Sequence, residues 1–159
     1  MSSAVIYTDL DGTLLDHHTY AFSEARTTLS TLLERGIPII PCTSKTRAET
    51  LILMQAMGID GPMIVENGAA IWVPMDWGLE RPEGSDSDAH AWCHSFGPSR
   101  GMIRRQLAIL NIEWGNRYQS LCDLSDKQVA AVTGLDLESA ARAKQRQHSE
   151  TLVWLGTPA

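Results

Sequence analysis

Apolar positions along this chain follow two rhythms. Val5-Ile6-Tyr7, Ile37 to Cys42 and Met63-Ile64-Val65 are short runs of high β-propensity, each stopped by polar or turn-forming residues. Between the first two, Ala25, Leu29, Leu32 and Leu33 recur at helical spacing, with Ser23 as a plausible N-cap and Gly36 closing the segment. A second helix is predicted from Arg47 to Met57, ending at Gly58, and a fourth strand from Ala70 to Val73. Strand, helix, strand, helix, strand is the order of a parallel sheet with helices on its faces. Pro38 and Pro41 remove ladder donors from the second strand, which predicts an irregular or partly edge-like strand.

The pattern changes at Pro74. From there to about Ala89, Pro, Gly, Ser, Asp and Glu predominate, which reads as a linker or boundary. This divides the chain into an α/β region, residues 1–81, and a second region, residues 82–159. The second region is predicted to hold a helix from Arg100 to Leu110 with Met102, Ile103, Leu107 and Leu110 on its apolar side. A helix capped by Ser125 follows, then one from Asp136 or Ser139 to about Gln147, and a strand at Thr151 to Trp154. The sequence stops at Gly156-Thr157-Pro158-Ala159, just after that strand, so the second region is expected to be an incomplete α+β domain.

Composition narrows the function classes. The chain has 159 residues, 43% hydrophobic and 20% charged, ordinary for a folded protein with a real core. A formal charge of −6 argues against nucleic-acid and anionic-membrane partners. Its apolar runs are too short to span a bilayer, and Met1-Ser2-Ser3 leads into the first strand without a basic flank. Cys42, Cys93 and Cys122 are widely spaced and odd in number, which fits a reduced, cytoplasmic location.

The candidate chemistry begins where the first strand ends, at Asp9-Leu10-Asp11-Gly12-Thr13. Open α/β sheets place ligands at the carboxyl ends of their strands. Two carboxylates there, with no basic residue close in sequence, call for a hard cation such as Mg²⁺. An aspartate so held can attack phosphorus and split one hard hydrolysis into two easier steps. The plainer alternative is a turn whose aspartates cap backbone groups.

The apolar strand, Asp-x-Asp, Gly-Thr and two leucines together resemble the haloacid dehalogenase-type phosphatases. The resemblance implies Asp9 as nucleophile and Asp11 as general acid–base, with Mg²⁺ held by the Asp9 carboxylate and the backbone carbonyl of Asp11. It also implies a phosphate-binding hydroxyl at Thr43, where a simple N-cap is the alternative.

Cys42-Thr43-Ser44-Lys45-Thr46-Arg47-Ala48-Glu49 and Glu66-Asn67-Gly68-Ala69-Ala70-Ile71 narrow the resemblance to the mannosyl-3-phosphoglycerate phosphatase family, with the SKTRAE run the most diagnostic. Thr133-Gly134-Leu135 and Ser149 to Trp154 resemble that family's cap domain. The implied fold is the N-terminal part of a Rossmann-like core followed by an incomplete α+β cap. Thr43, Ser44, Lys45, Arg47 and Asn67 are then substrate-binding candidates. Lys45 and Arg47 would otherwise be solvated helix-start residues, and Asn67 part of an Asn-Gly turn. Arg100 and Arg104 share a helix face where they could meet a carboxylate or phosphate, but read more simply as a solvated face.

The family's later lysine and acidic Gly-Asp motif do not occur in this sequence. The implied activity is Mg²⁺-dependent hydrolysis of mannosyl-3-phosphoglycerate or a similar sugar phosphoglycerate, and without those motifs this chain alone is not expected to turn over substrate. A related sugar-phosphate phosphatase is one alternative. A non-catalytic remnant that binds a phosphorylated ligand or a partner chain is the other. An incomplete core also leads to the expectation of self-association or a complementing chain.

Overall fold

A computed structural model describes residues 4–16 and 19–156. Within it, the chain forms two compact units that divide between Phe96 and Gly97. The ends of the chain, and His17 and His18 in the loop after the first strand, lie outside the described residues. Among the described residues no helix is long and apolar enough to cross a membrane.

In the first unit, β1 (Ile6–Thr8) and β2 (Ile39–Pro41) pair in parallel, with Ile6 opposite Ile39 and Thr8 opposite Pro41. Helix α1 (Arg26–Glu34) connects them, and α2 (Arg47–Met57) leads on to β3 (Met63–Val65). The βαβαβ order read from the sequence is therefore present. A parallel bridge from Cys42 to Ile64 joins β2 to β3.

β2 departs from its expected edge-like character. All three of its residues are buried, and it runs between β1 and β3. The prolines are accommodated by alternation along the strand. Pro38 O accepts from Ile6 N at 2.9 Å and Cys42 N donates to Thr8 O at 2.8 Å, so even-numbered groups face β1. Odd-numbered positions, Pro41 included, face β3, where Thr43 N donates to Ile64 O at 3.0 Å. The missing Pro41 donor falls on the side where pairing has shrunk to a single bridge.

Helix α2 begins with a capping box: the Thr46 hydroxyl accepts from Glu49 N, and the Glu49 carboxylate accepts from Thr46 N. Its buried residues Thr50, Met54 and Met57 repeat at helical spacing and, with Leu29, Ile39, Met63, Val65 and Trp72, help fill the unit's core. α1 starts later than expected: Ala25, not Ser23, is its N-cap and carries no side-chain cap.

The stretch expected to be a linker, Pro74 to about Ala89, is mostly turn and loop that connects strands of one sheet. β3 pairs antiparallel with β4 (Ala70–Pro74), β4 with β6 (Ala91–Ser95), and β6 with β5 (Asp86–Ser87). Residues 82–96 thus pack with the first unit, and the structural division lies beyond the 81/82 boundary drawn from composition. Pro, Gly, Ser and Asp marked the turns of these strands rather than an inter-domain tether.

The second unit contains α3 (Arg100–Glu113), α4 (Asp126–Thr133), α5 (Leu137–Ala143) and an antiparallel pair, β7 (Tyr118–Ser120) with β8 (Leu152–Trp154). Leu121, Leu124, Val129 and Ala140 form its core. Asn111 on α3 brackets Tyr118, donating to its carbonyl at 2.9 Å and accepting from its N–H at 3.2 Å. This mixed content agrees with the expected α+β character of the region.

Candidate active site

The site is built at the turn that follows β1. Leu10 and Leu15 are fully buried, and their backbones close the turn, with Leu15 N donating to Leu10 O at 2.8 Å and Gly12 N to Leu15 O at 2.9 Å. Gly12 sits at φ 70°, a left-handed conformation that costs a residue without Cβ little. Two leucines locked inward leave Asp9 and Asp11 on the open side. One Asp9 carboxylate oxygen accepts from Leu10 N at 2.7 Å, which fixes its direction locally.

A cavity of about 390 Å³ lies over this turn, lined by Asp9, Asp11, Cys42, Thr43, Ser44, Ile64, Asn67 and Gly68. The structure therefore gathers Asp9, Asp11, Thr43, Ser44 and Asn67 from three separate strand ends. The wall of the cavity is tied by backbone. Asn67 N donates to Thr43 O and Glu66 N to Lys45 O, each at 3.0 Å. Glu66 at φ 53°, Asn67 at 62° and Gly68 at 83° form three consecutive left-handed residues. For a buried glutamate this is costly backbone, and the cross-strand bonds hold it in place.

Thr43 is buried, and its hydroxyl accepts from Lys45 N at 3.2 Å while lining the cavity. Thr46, not Thr43, caps α2, so the two readings of these hydroxyls separate: capping belongs to Thr46. Burial raises the Cys42 thiol pKa, and the nearby Asp9 charge raises it further, against a smaller lowering by its backbone bond to Thr8. Both of the larger effects work against formation of the thiolate.

Lys45 is not a lining residue, yet it belongs to the site. Its ammonium lies 2.9 Å from Asp11 Oδ1, with the lysine side chain 12% exposed. The approach lacks hydrogen-bond alignment at that oxygen, so the contact is one of charge. The same ammonium sits 5.0 Å from the ring centre of Tyr20. Sequence reasoning missed Tyr20, because nothing local distinguishes it within a polar loop.

Arg47 is placed elsewhere. Its guanidinium stacks 3.8 Å from the Trp72 ring centre and bonds Asp88 at 2.7 Å, beside a different, mainly apolar cavity under α2. Arg100 and Arg104, in the second unit, are not a freely solvated face. Arg100 Nε bonds the buried Glu150 carboxylate at 2.9 Å, and Arg104 bonds Asp123 at 2.6 Å.

The donor set suits a divalent cation. Among the described residues no three His, Cys, Asp or Glu side chains converge. Mg²⁺ commonly uses only one or two carboxylates and completes its shell with water and phosphate oxygens, and the Asp9 carboxylate with the Asp11 backbone carbonyl would fit that need.

Comparison with known proteins relates the chain to one group of hydrolases. Residues 6–81 match the family model of haloacid dehalogenase-like hydrolases. Over 92% of its length the chain is 40% identical to the glucosyl-3-phosphoglycerate/mannosyl-3-phosphoglycerate phosphatase of Methanococcoides burtonii. The first half of the chain is thus similar to the haloacid dehalogenase-like hydrolases. The narrower resemblance carried by the SKTRAE run is borne out by the same relative. The chain spans 54% of that relative's length.

Two solved structures share the fold. One, from Thermotoga maritima, aligns with a TM-score of 0.56 at 16% identity, covering 91% of this chain and 53% of its own. The other, a Bacteroides thetaiotaomicron protein described among phosphatases of the HAD enzyme superfamily, aligns at 0.54 and 22% identity, covering 84% and 47%.

Proposed function

We propose that this chain carries the nucleophile half of a Mg²⁺-dependent phosphomonoesterase acting on glucosyl- or mannosyl-3-phosphoglycerate. The observation that supports this most is the convergence of Asp9, Asp11 and Thr43 on one cavity. The substrate class rests on the printed activity of the 40%-identical relative.

In the proposed reaction an Asp9 carboxylate oxygen attacks phosphorus as the bond to the glycerate oxygen breaks. Asp11 gives its proton to that departing oxygen. The products of this step are the sugar glycerate and phospho-Asp9. Asp11 then takes a proton from water, whose oxygen attacks phosphorus, releasing inorganic phosphate and restoring the Asp9 carboxylate. The Thr43 hydroxyl, which lines the cavity, donates to a phosphoryl oxygen throughout. Asp9 and the Asp11 backbone carbonyl would hold Mg²⁺, which when bound neutralises charge on the phosphoryl group.

The test is phosphate release from both sugar phosphoglycerates with Mg²⁺ present, together with mass-spectrometric detection of a phosphorylated Asp9 peptide. Asp9→Asn is expected to lower release by about 10³-fold or more and to abolish the adduct. Release that survives the substitution would sink the nucleophile assignment. No release from the parent chain would sink catalysis by this chain alone.

A further inference from the structure

The geometry points to Tyr20 as a positioning residue, one that holds the Lys45 ammonium against Asp11. Its catalytic consequence rests on the phosphatase reading above; its structural content does not.

Three observations carry it. Lys45 has a flexible four-carbon stem and a compact charge with rotatable donors, so sequence position alone does not fix where its ammonium lies. In the structure the ammonium is confined between Asp11 Oδ1, at 2.9 Å, and the Tyr20 ring, at 5.0 Å. A cation within about 6 Å of an aromatic centroid is attracted by the ring face. Tyr20 therefore supplies a second wall that the carboxylate lacks.

Tyr20 is also held where it is at a cost. Its φ is 55°, a left-handed conformation unfavourable for a bulky side chain. The loop around it imposes that conformation. Tyr20 N donates to Asp16 O at 3.0 Å, Asp16 N to Ala21 O at 2.8 Å, and both the N–H and hydroxyl of Thr19 donate to one Asp16 oxygen at 2.8 Å. Burial does not explain the expense, since Tyr20 is 47% exposed. Among the described residues, the ring faces the Lys45 ammonium.

The consequence is orientation. Asp11 must face first a departing oxygen and then a water, and an ammonium fixed on one of its oxygens restricts the carboxylate's rotation. Lys45 without its aromatic wall would sample other rotamers and release that restriction. The expected kinetic effect falls on kcat, because substrate is bound chiefly by groups lining the cavity.

The experiment compares Tyr20→Leu, Tyr20→Phe and Lys45→Met in the full chain, singly and with Tyr20→Leu combined with Lys45→Met. The first readout needs no turnover: ring-current shielding of the Lys45 ε-methylene protons by NMR. Shielding in the parent and in Tyr20→Phe, lost in Tyr20→Leu, supports the placement; absence of shielding in the parent overturns it. The second readout is steady-state kinetics. Tyr20→Leu is expected to lower kcat about two- to fivefold at little change in KM, the scale of one partly exposed cation–π contact. Tyr20→Phe restores the parent value, and Tyr20→Leu adds nothing once Lys45 is Met. An equal loss in the Lys45→Met background overturns the positioning role. Failure of the parent to hydrolyse either sugar phosphoglycerate counts against the phosphatase reading, while the shielding still decides whether Tyr20 holds Lys45.

Discussion

Asp88 shows how a single carboxylate can fix a turn without burial. Its Oδ1 accepts from His90 N at 2.8 Å and Ala91 N at 2.9 Å, and its other oxygen bonds Arg47 at 2.7 Å. The two backbone donors, more than the guanidinium, hold its pKa down to about 2. The sign follows: an acid whose folded pKa lies below its unfolded value stabilises the fold above the unfolded value, near pH 4. That contribution disappears as pH falls through the folded value. Acid unfolding of the parent chain between about pH 4 and pH 2 is therefore expected to be steeper than that of Asp88→Asn, followed by tryptophan fluorescence; equal slopes would remove Asp88 from the account. Because this side chain is largely in solvent, the effect is one of slope rather than of large stability. The interaction also explains why Arg47 does not line the carboxylate cavity. A cation next to the site in sequence found a better-defined partner in Trp72 and Asp88.

At the scale of elements, legibility followed how local the determinant is. The span of α2 and that of β3 were readable because Gly58 and the Glu66-Asn67-Gly68 turn end them within a few residues. β5 and β6 were not, because a short hairpin rich in Asp and Ser differs little in composition from a linker. Trp92 and Cys93, buried in β6, were the available signal that the region is sheet. β7, three residues long, offers too few positions for alternation to register. The carboxylate pair and Thr43 were legible from their places at strand ends. The contacts of Lys45 with Asp11 and with Tyr20 were not, since both depend on loops meeting through the fold.

The same limit hid Glu150. Its side chain is 1% exposed and accepts from Arg100 Nε at 2.9 Å and from Ser120 Oγ at 2.8 Å. It joins the N-terminal end of α3 to β7 and the approach to β8. Removing one member of a buried pair leaves the other uncompensated, at a cost of about 3–5 kcal/mol when both are fully buried. Arg100 retains partial access to water, so the lower end applies. Glu150→Ala is expected to lower stability by about 3 kcal/mol in urea unfolding of the full chain, and Glu150→Gln by less because it keeps an acceptor for Ser120. A loss below about 0.5 kcal/mol would show that the cluster is only a surface network.

At the scale of the whole molecule, the question is what the first unit's sheet leaves uncovered. β1 pairs with β2 and, among the described strands, with no other. Tyr7 in this strand is 63% exposed, and Val5 just before it is also exposed. An apolar strand with one unpaired edge is a template for another chain. We propose that the chain self-associates through this edge. The formal charge of −6 opposes association, but repulsion between exposed charges fades beyond about 8 Å at physiological salt, whereas strand pairing and apolar contact act at shorter range. Salt should therefore favour the association. Sedimentation is expected to give a weight-average mass above the 17.5 kDa monomer that rises with protein concentration, and more so at 0.5 M than at roughly 0.05 M NaCl. Tyr7→Lys, which places a charge on the strand without touching the Asp9–Asp11 turn, should return the mass toward the monomer. A monomer at every concentration and both salt levels would exclude this edge as an association site for the isolated chain.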